Sequence, residues 1–160
     1  MKNPGLFCLF FFFFLFGSCK KDQTQKEDEA NKVQIEKPIS IVCYKALYEN
    51  DTINLKVNTL KNGKINGDMV MKIENMPNKV GKIAGEFRGD TLFVDYSFIQ
   101  GTNEKVKFKN PMAFLKHGNE LNLGSGKIET YLRKSYFVKG TPIEFEKVKY
   151  KFTTVDCATK

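Results

Sequence analysis

The stretch DTINLKVNTLKNGKINGDMVMKI, Asp51 to Ile73, decides the fold. Ile53, Leu55 and Val57 alternate with Asn54, Lys56 and Asn58. Beyond a short break, Ile65, Met69, Met71 and Ile73 alternate with Lys64, Asn66, Asp68 and Lys72. A period of two puts all the apolar side chains of a strand on one face, whereas a helix would need a period near 3.6. The break holds Asn62-Gly63, a pair suited to the positive φ angles of a tight hairpin. The stretch therefore predicts two antiparallel strands, each with one buried face.

The same pattern continues in both directions. Leu92, Val94, Tyr96 and Phe98 share one face; Val106 and Phe108 alternate with Lys105, Lys107 and Lys109; Val148, Tyr150 and Phe152 alternate with Lys147, Lys149 and Lys151. Turn signals separate the runs at Asn50-Asp51, Gly89-Asp90, Gly101-Thr102-Asn103 and Gly118-Asn119. Repeats of roughly ten residues with no amphipathic helix between them predict an all-β antiparallel meander. About eight strands are expected, closing into an up-and-down, lipocalin-like barrel that leaves no sheet edge. Predicted inward faces carry Phe87, Tyr96, Phe98, Phe108, Phe114, Tyr150 and Phe152, and Tyr44 and Tyr48 share a face of the first strand. Residues 38–160 are enough for one such core and not for two.

Upstream the chemistry changes. Lys20 to Lys37 holds ten charged residues among eighteen, five of each sign, with only Val33 and Ile35 as sizeable apolar side chains. Such a segment buries too little surface to offset its ordering entropy, so residues 19–37 are expected to be a flexible tether. Before it runs LFCLFFFFFLFGSCKKD, Leu6 to Asp22. The eleven apolar residues Leu6 to Phe16 make a helix of roughly 16 Å against a bilayer core of roughly 30 Å. The run is too short to span and has the proportions of a signal peptide, expected over residues 1–18. Leu15-Phe16-Gly17-Ser18-Cys19 resembles a bacterial lipobox, with Phe16 where an aliphatic residue is usual. The resemblance implies cleavage before Cys19 and acylation of that residue, giving a membrane-anchored envelope lipoprotein. Two or three acyl chains anchor firmly at roughly 0.8 kcal/mol per buried methylene. An outer-membrane address is expected. The late acidic cluster Glu27-Asp28-Glu29 suggests surface exposure without establishing it.

With Cys8 removed in the signal peptide and Cys19 lipidated, Cys43 and Cys157 remain. Two leftover cysteines in an exported domain most simply form one disulfide, here joining first strand to last. Catalytic or metal-binding cysteines are the alternative, but no CxxC and no nearby His accompanies them.

The tether is charge-balanced, so the positive charge belongs to the domain, with 20 Lys plus Arg against 13 Asp plus Glu. Only Arg88 and Arg133 are Arg. Nucleic-acid readers favour the forked guanidinium, so a solvated lysine face is expected, with no nucleic-acid partner.

Gly81 to Ile128, GKIAGEFRGDTLFVDYSFIQGTNEKVKFKNPMAFLKHGNELNLGSGKI, resembles a family of uncharacterised Bacteroidota lipoproteins. These pair a G-x-F-x-GDTL-x-x-DY-x-F hairpin with a later FLK-x-G-x-x-L-x-x-G-x-G segment. Their first-strand and last-strand cysteines correspond to Cys43 and Cys157. The resemblance implies a lipocalin-like small barrel and an envelope address, and no activity.

Chemistry-bearing motifs are few. His117 is the only His and stands in a turn context. Met69 and Met71 share the alternation of Ile65 and Ile73, which makes them core. Arg88-Gly89-Asp90 is explained by a tight hairpin. No nucleophile elbow, phosphate loop or metal cluster is present, so no enzyme, cofactor or metal is expected. Asp51-Thr52-Ile53 and Asp90-Thr91-Leu92 resemble the Asp-Thr-aliphatic acceptor of Bacteroidota O-glycosylation, making Thr52 and Thr91 candidate acceptors, although Asp-Thr also simply suits a turn. The segment Glu129 to Glu144 carries Tyr131, Leu132, Tyr136 and Phe137 without clean alternation. It is expected to border a cavity for a small apolar ligand or lipid, with Tyr131, Tyr136, Phe137, Tyr96 and Phe98 as candidate binding residues. Two alternatives stand beside a monomeric binding barrel. One is an interaction module resembling the membrane-bound inhibitors of C-type lysozyme, against which both partners being basic argues. The other is a structural envelope component without a ligand.

Overall fold

The structure is a computed structural model that describes residues 36–157 other than Arg133. The predicted signal peptide, Cys19 and almost all of the predicted tether lie outside the described residues. All regular elements among those residues are strands: β1 (Ser40–Tyr48), β2 (Asp51–Thr59), β3 (Lys64–Lys72), β4 (Lys79–Arg88), β5 (Thr91–Gln100), β6 (Phe108–His117), β7 (Glu120–Leu123), β8 (Ser125–Gly126), β9 (Ile128–Tyr131), β10 (Lys134–Phe137), β11 (Ile143–Glu144) and β12 (Lys151–Val155). Eight of them close a barrel in the order β1-β12-β7-β6-β5-β4-β3-β2. β1 through β7 form the expected meander, and β12 returns antiparallel between β7 and β1 to seal it. The all-β, eight-stranded barrel read from the alternation is the fold of the chain.

Alternation places the core as the sequence predicts. Ile53, Leu55 and Val57 of β2, Ile65 and Met69 of β3, and Leu92, Val94, Tyr96 and Phe98 of β5 are buried inside. Phe114 and Phe152 meet edge-to-face with ring centroids 5.5 Å apart. Crowding is severe between β4 and β5. A Cβ on Gly81 would stand 2.0 Å from the Ser97 carbonyl oxygen, and one on Gly85 1.9 Å from that of Phe93. Only glycine lets β4 pass so close to β5.

Two aromatics expected inward, Phe87 at 39% and Phe108 at 43%, keep substantial exposure, as does Tyr48 at 39%. Each sits at or next to the end of its strand, where inward parity points a side chain into an open mouth. The run expected to start near Lys105 enters the sheet only at Phe108, and the run expected from Lys147 only at Lys151.

The barrel has two unlike ends. At one lie the β2–β3, β4–β5 and β6–β7 turns, the start of β1, and Cys157 just beyond β12. The Cys43–Cys157 disulfide expected from cysteine counting is present there, with Cα atoms 5.2 Å apart. At the other lie the β1–β2 turn, the longer β3–β4 and β5–β6 connections, and the excursion from Gly124 to Tyr150. That excursion forms two small sheets outside the barrel, β8 with β11 and β9 with β10. The segment read as lacking alternation is thus largely the β9–β10 hairpin. Four-residue strands exposed on at least one face give too short a pattern to read from sequence.

Candidate functional site: a cleft where the barrel wall is incomplete

β7 stays in the wall for only four residues. β6 is ten residues long and pairs with β7 only over Phe114 to His117. Among the described residues its earlier part, Phe108 to Ala113, has a ladder partner on the β5 side only. Pro111 sits in that half-partnered stretch, where a missing N–H costs least. The excursion fills part of the gap, and a cavity of about 450 Å³ remains.

Its walls come from the barrel interior and from the excursion. Tyr96, Phe98, Met71, Met112 and Leu123 line the barrel side, and Gly124, Gly126, Phe137, Val148 and Tyr150 the excursion side. Tyr96 and Phe98 stack at 4.7 Å and Phe98 and Phe108 at 5.4 Å, so a column of three rings runs from the core to the rim. The Tyr96 hydroxyl donates to the Met69 carbonyl oxygen at 3.1 Å. Burial of the Tyr96 phenol raises its pKa well above the ordinary value, so the ring is neutral. A volume within roughly 300–1,000 Å³, a mostly apolar lining and a few polar groups are the properties of a small-molecule site.

Gly124 and Gly126 explain the G-x-G of the motif in physical terms. A Cβ on Gly124 would meet the Phe145 ring at 2.4 Å, and one on Gly126 the Phe137 ring at 2.9 Å. The absence of side chains lets Phe145 and Phe137 pack directly against the backbone at Gly124 and Gly126. The Gly124 amide also donates to the Ala113 carbonyl at 2.9 Å, holding the departing chain beside β6.

One side of the mouth is built around Asp51, among the described residues the only buried charged side chain, at 4% exposure. Its carboxylate accepts from the Tyr150 hydroxyl at 2.6 Å and from the Glu74 amide at 2.8 Å, and pairs with Lys149 at 2.9 Å. The Tyr150 hydrogen bond, then the Lys149 and Glu74 bonds, hold its pKa down to about 2. Lys149 is held charged well above the ordinary lysine range by the same pair, and its ammonium lies 4.7 Å over the Tyr48 ring and 5.1 Å over that of Tyr150. Desolvation first, then the bond to Asp51, raises the Tyr150 phenol. The cluster ties the β1–β2 turn, the β3–β4 connection and the lead into β12 together. No sequence pattern singled it out, because its members are 99 residues apart and Asp51 reads as a turn residue.

The residues singled out from sequence divide. Tyr96, Phe98 and Phe137 line the cleft. Tyr131 and Tyr136 do not, and stand 67% and 45% exposed on the hairpin's outer side. Thr52 and Thr91 are both half-buried; Thr91 opens β5 directly after a two-residue turn, and Thr52 is the second residue of β2. His117 is exposed at the end of β6, and Asp95 faces outward in an ion pair with Lys109 at 2.7 Å. Among the described residues no three His, Cys, Asp or Glu side chains gather as a metal site.

This geometry defines a class: a small, disulfide-linked, closed β-barrel with an apolar cleft at one end. No family model, curated protein or solved structure matches the chain.

Proposed function

We propose that the protein is an envelope lipoprotein, anchored through Cys19, whose barrel holds a small apolar molecule in the cleft. The observation that carries the ligand is the cavity of about 450 Å³ with Tyr96, Phe98, Met71, Met112, Leu123 and Phe137 in its walls. The short apolar run ending in Gly17-Ser18-Cys19 and the resemblance to Bacteroidota lipoproteins support the address. The described chain enters β1 at the end of the barrel remote from the cleft. An environment-sensitive apolar dye titrated into the purified protein tests the reading: saturable binding at one site supports it, and the absence of saturable binding by any apolar probe rejects it.

A protein-interaction role is the second reading, and the β9–β10 hairpin favours it. Tyr131 and Leu132 are 67% and 77% exposed, a costly display unless something covers them. Pull-down from intact envelope with and without Tyr131→Ser separates the two readings. For Thr52 and Thr91 we propose O-glycosylation, supported by their Asp-Thr-aliphatic context. Glycopeptide mass spectrometry of protein from a native-type host checks it, and unmodified threonine at full occupancy overturns it.

A further inference from the structure

The apolar reading of the cleft leaves its cations unexplained. Three lysines line it, Lys79, Lys147 and Lys149, and no carboxylate does. Lys149 is accounted for by Asp51. Lys79 and Lys147 are different: among the described residues no Asp or Glu lies within ion-pair distance of either. Lys79 opens β4 with inward parity, opposite Gln100 and two residues before Gly81, and is half-buried. Its ammonium stands 5.6 Å from the centre of the Phe98 ring, at the top of the aromatic column. Lys79 is thus an inward-leaning, half-buried cation held over a ring face, with no carboxylate to compensate its charge and therefore open to an anion. Lys147 stands on the excursion's return, so the two ammonium groups come from different walls of one mouth.

We infer that the cleft takes a single-chain amphiphile with an anionic head, its chain along Tyr96, Phe98 and Met112 and its head between Lys79 and Lys147. This rests on the small-molecule reading of the cleft and adds the ligand's charge and shape. A methylene takes about the room of a water molecule, roughly 30 Å³, so a cavity of about 450 Å³ has room for one chain of about a dozen carbons. Carboxylate and phosphate heads share the chemistry the two lysines recognise. The domain's positive charge favours encounter with either.

The test uses a fluorescent polyene fatty acid and its methyl ester as probes, titrated into the purified, delipidated protein. The acid is expected to bind saturably and at least about tenfold more tightly than the ester. Lys79→Gln and Lys147→Gln should each weaken the acid about threefold to tenfold and leave the ester unchanged, while Lys61→Gln, at the far end of the barrel, changes neither. Raised salt should weaken the acid only. Laurate and dodecyl phosphate as competitors distinguish the two heads, and dodecanol should compete poorly. Equal binding of acid and ester, or no effect of either lysine variant on a folded protein, overturns the anionic head and leaves an apolar cleft. Binding of neither probe overturns the cleft reading itself, and this inference with it.

Discussion

The Tyr150 hydroxyl donates a 2.6 Å hydrogen bond to Asp51 Oδ2 across 99 residues of chain. Asp51 opens β2, and Tyr150 is the last residue before β12. The bond fixes where the excursion rejoins the barrel, and so fixes one wall of the cleft. A buried carboxylate that accepts from a phenol and an amide and faces a lysine is satisfied only while it is ionised.

Its pH behaviour follows. The folded-state pKa of about 2 lies below the ordinary 3.8, so the ionised form is favoured by folding. The contribution to stability is fully present above about pH 4 and is lost as pH falls toward 2. Denaturant midpoints measured at intervals from pH 6 to pH 2 should fall over that window. Asp51→Asn should be less stable at pH 6, and the difference from the parent should shrink as pH approaches 2. A difference that stays constant with pH would remove Asp51 as the titrating group.

Cys43 and Cys157 join β1 to the segment after β12 across a sequence separation of 114. In the chain-entropy model a loop of that length contributes roughly 4–5 kcal/mol, by restricting the unfolded chain. Typical domain stabilities are about 5–15 kcal/mol, so Cys43→Ser with Cys157→Ser should be strongly destabilised or unfolded at 37 °C. Urea unfolding of the double variant, and of the parent with and without reductant, measures it. A loss under about 1 kcal/mol would show that the β1–β12 ladder closes the barrel without help.

Legibility from sequence followed the length scale of each feature. β2, β3 and β5 were readable because nine or ten residues alternate against one core, and the turn between β2 and β3 because Gly63 supplies its positive φ of 77°. The disulfide was readable because cysteine counting needs no geometry. The excursion was not, since strands of two to four residues carry no usable period. The cleft arises from a mismatch between a ten-residue β6 and a four-residue β7, which only pairing reveals. The Asp51 cluster is a contact between distant turns, and local pattern cannot report it. Phe137 and Tyr136 looked equivalent as neighbours in one apolar segment, and strand pleating sends them to opposite sides.

Three two-residue hairpin loops share one backbone solution, with positive φ at the first loop position: Gly89 at 59°, Gly118 at 59°, and Glu49 at 51°. Glycine adopts this conformation freely, whereas a side chain costs roughly 1–2 kcal/mol. Glycine's greater freedom in the unfolded chain offsets part of that gain. Glu49→Gly should therefore stabilise the protein by about 0.5–1 kcal/mol, read from urea midpoints. The exposed Glu49 carboxylate has no partner to lose among the described residues. Destabilisation would show that this turn is held by its side chains and not by its backbone.

Anchoring through Cys19 is checked by intact mass. Protein extracted from membranes should begin at Cys19 with acyl mass added, and Cys19→Ser should release it into the soluble envelope fraction. A mature N-terminus at Lys20 without lipid would end the lipoprotein reading, while leaving the barrel and its cleft as they are.

The hairpin supplies the sharpest test of where a ligand sits. Tyr136 and Phe137 are adjacent on β10, so their side chains leave opposite faces. Phe137 lines the cleft and packs on Gly126, and Tyr136 lies outside it, 45% exposed. Phe137→Ser should weaken binding of an apolar probe by about tenfold or more, and Tyr136→Ser by less than about twofold. Gly126→Ala should act like Phe137→Ser without removing the ring, because the new Cβ would stand 2.9 Å from Phe137 Cδ1 and displace it. Titration of one dye into all three variants measures this, with far-UV circular dichroism confirming an intact barrel. Binding lost with Tyr136→Ser and kept with Phe137→Ser would move the site from the cleft to the outer face of the hairpin. The interaction-module reading would then lead.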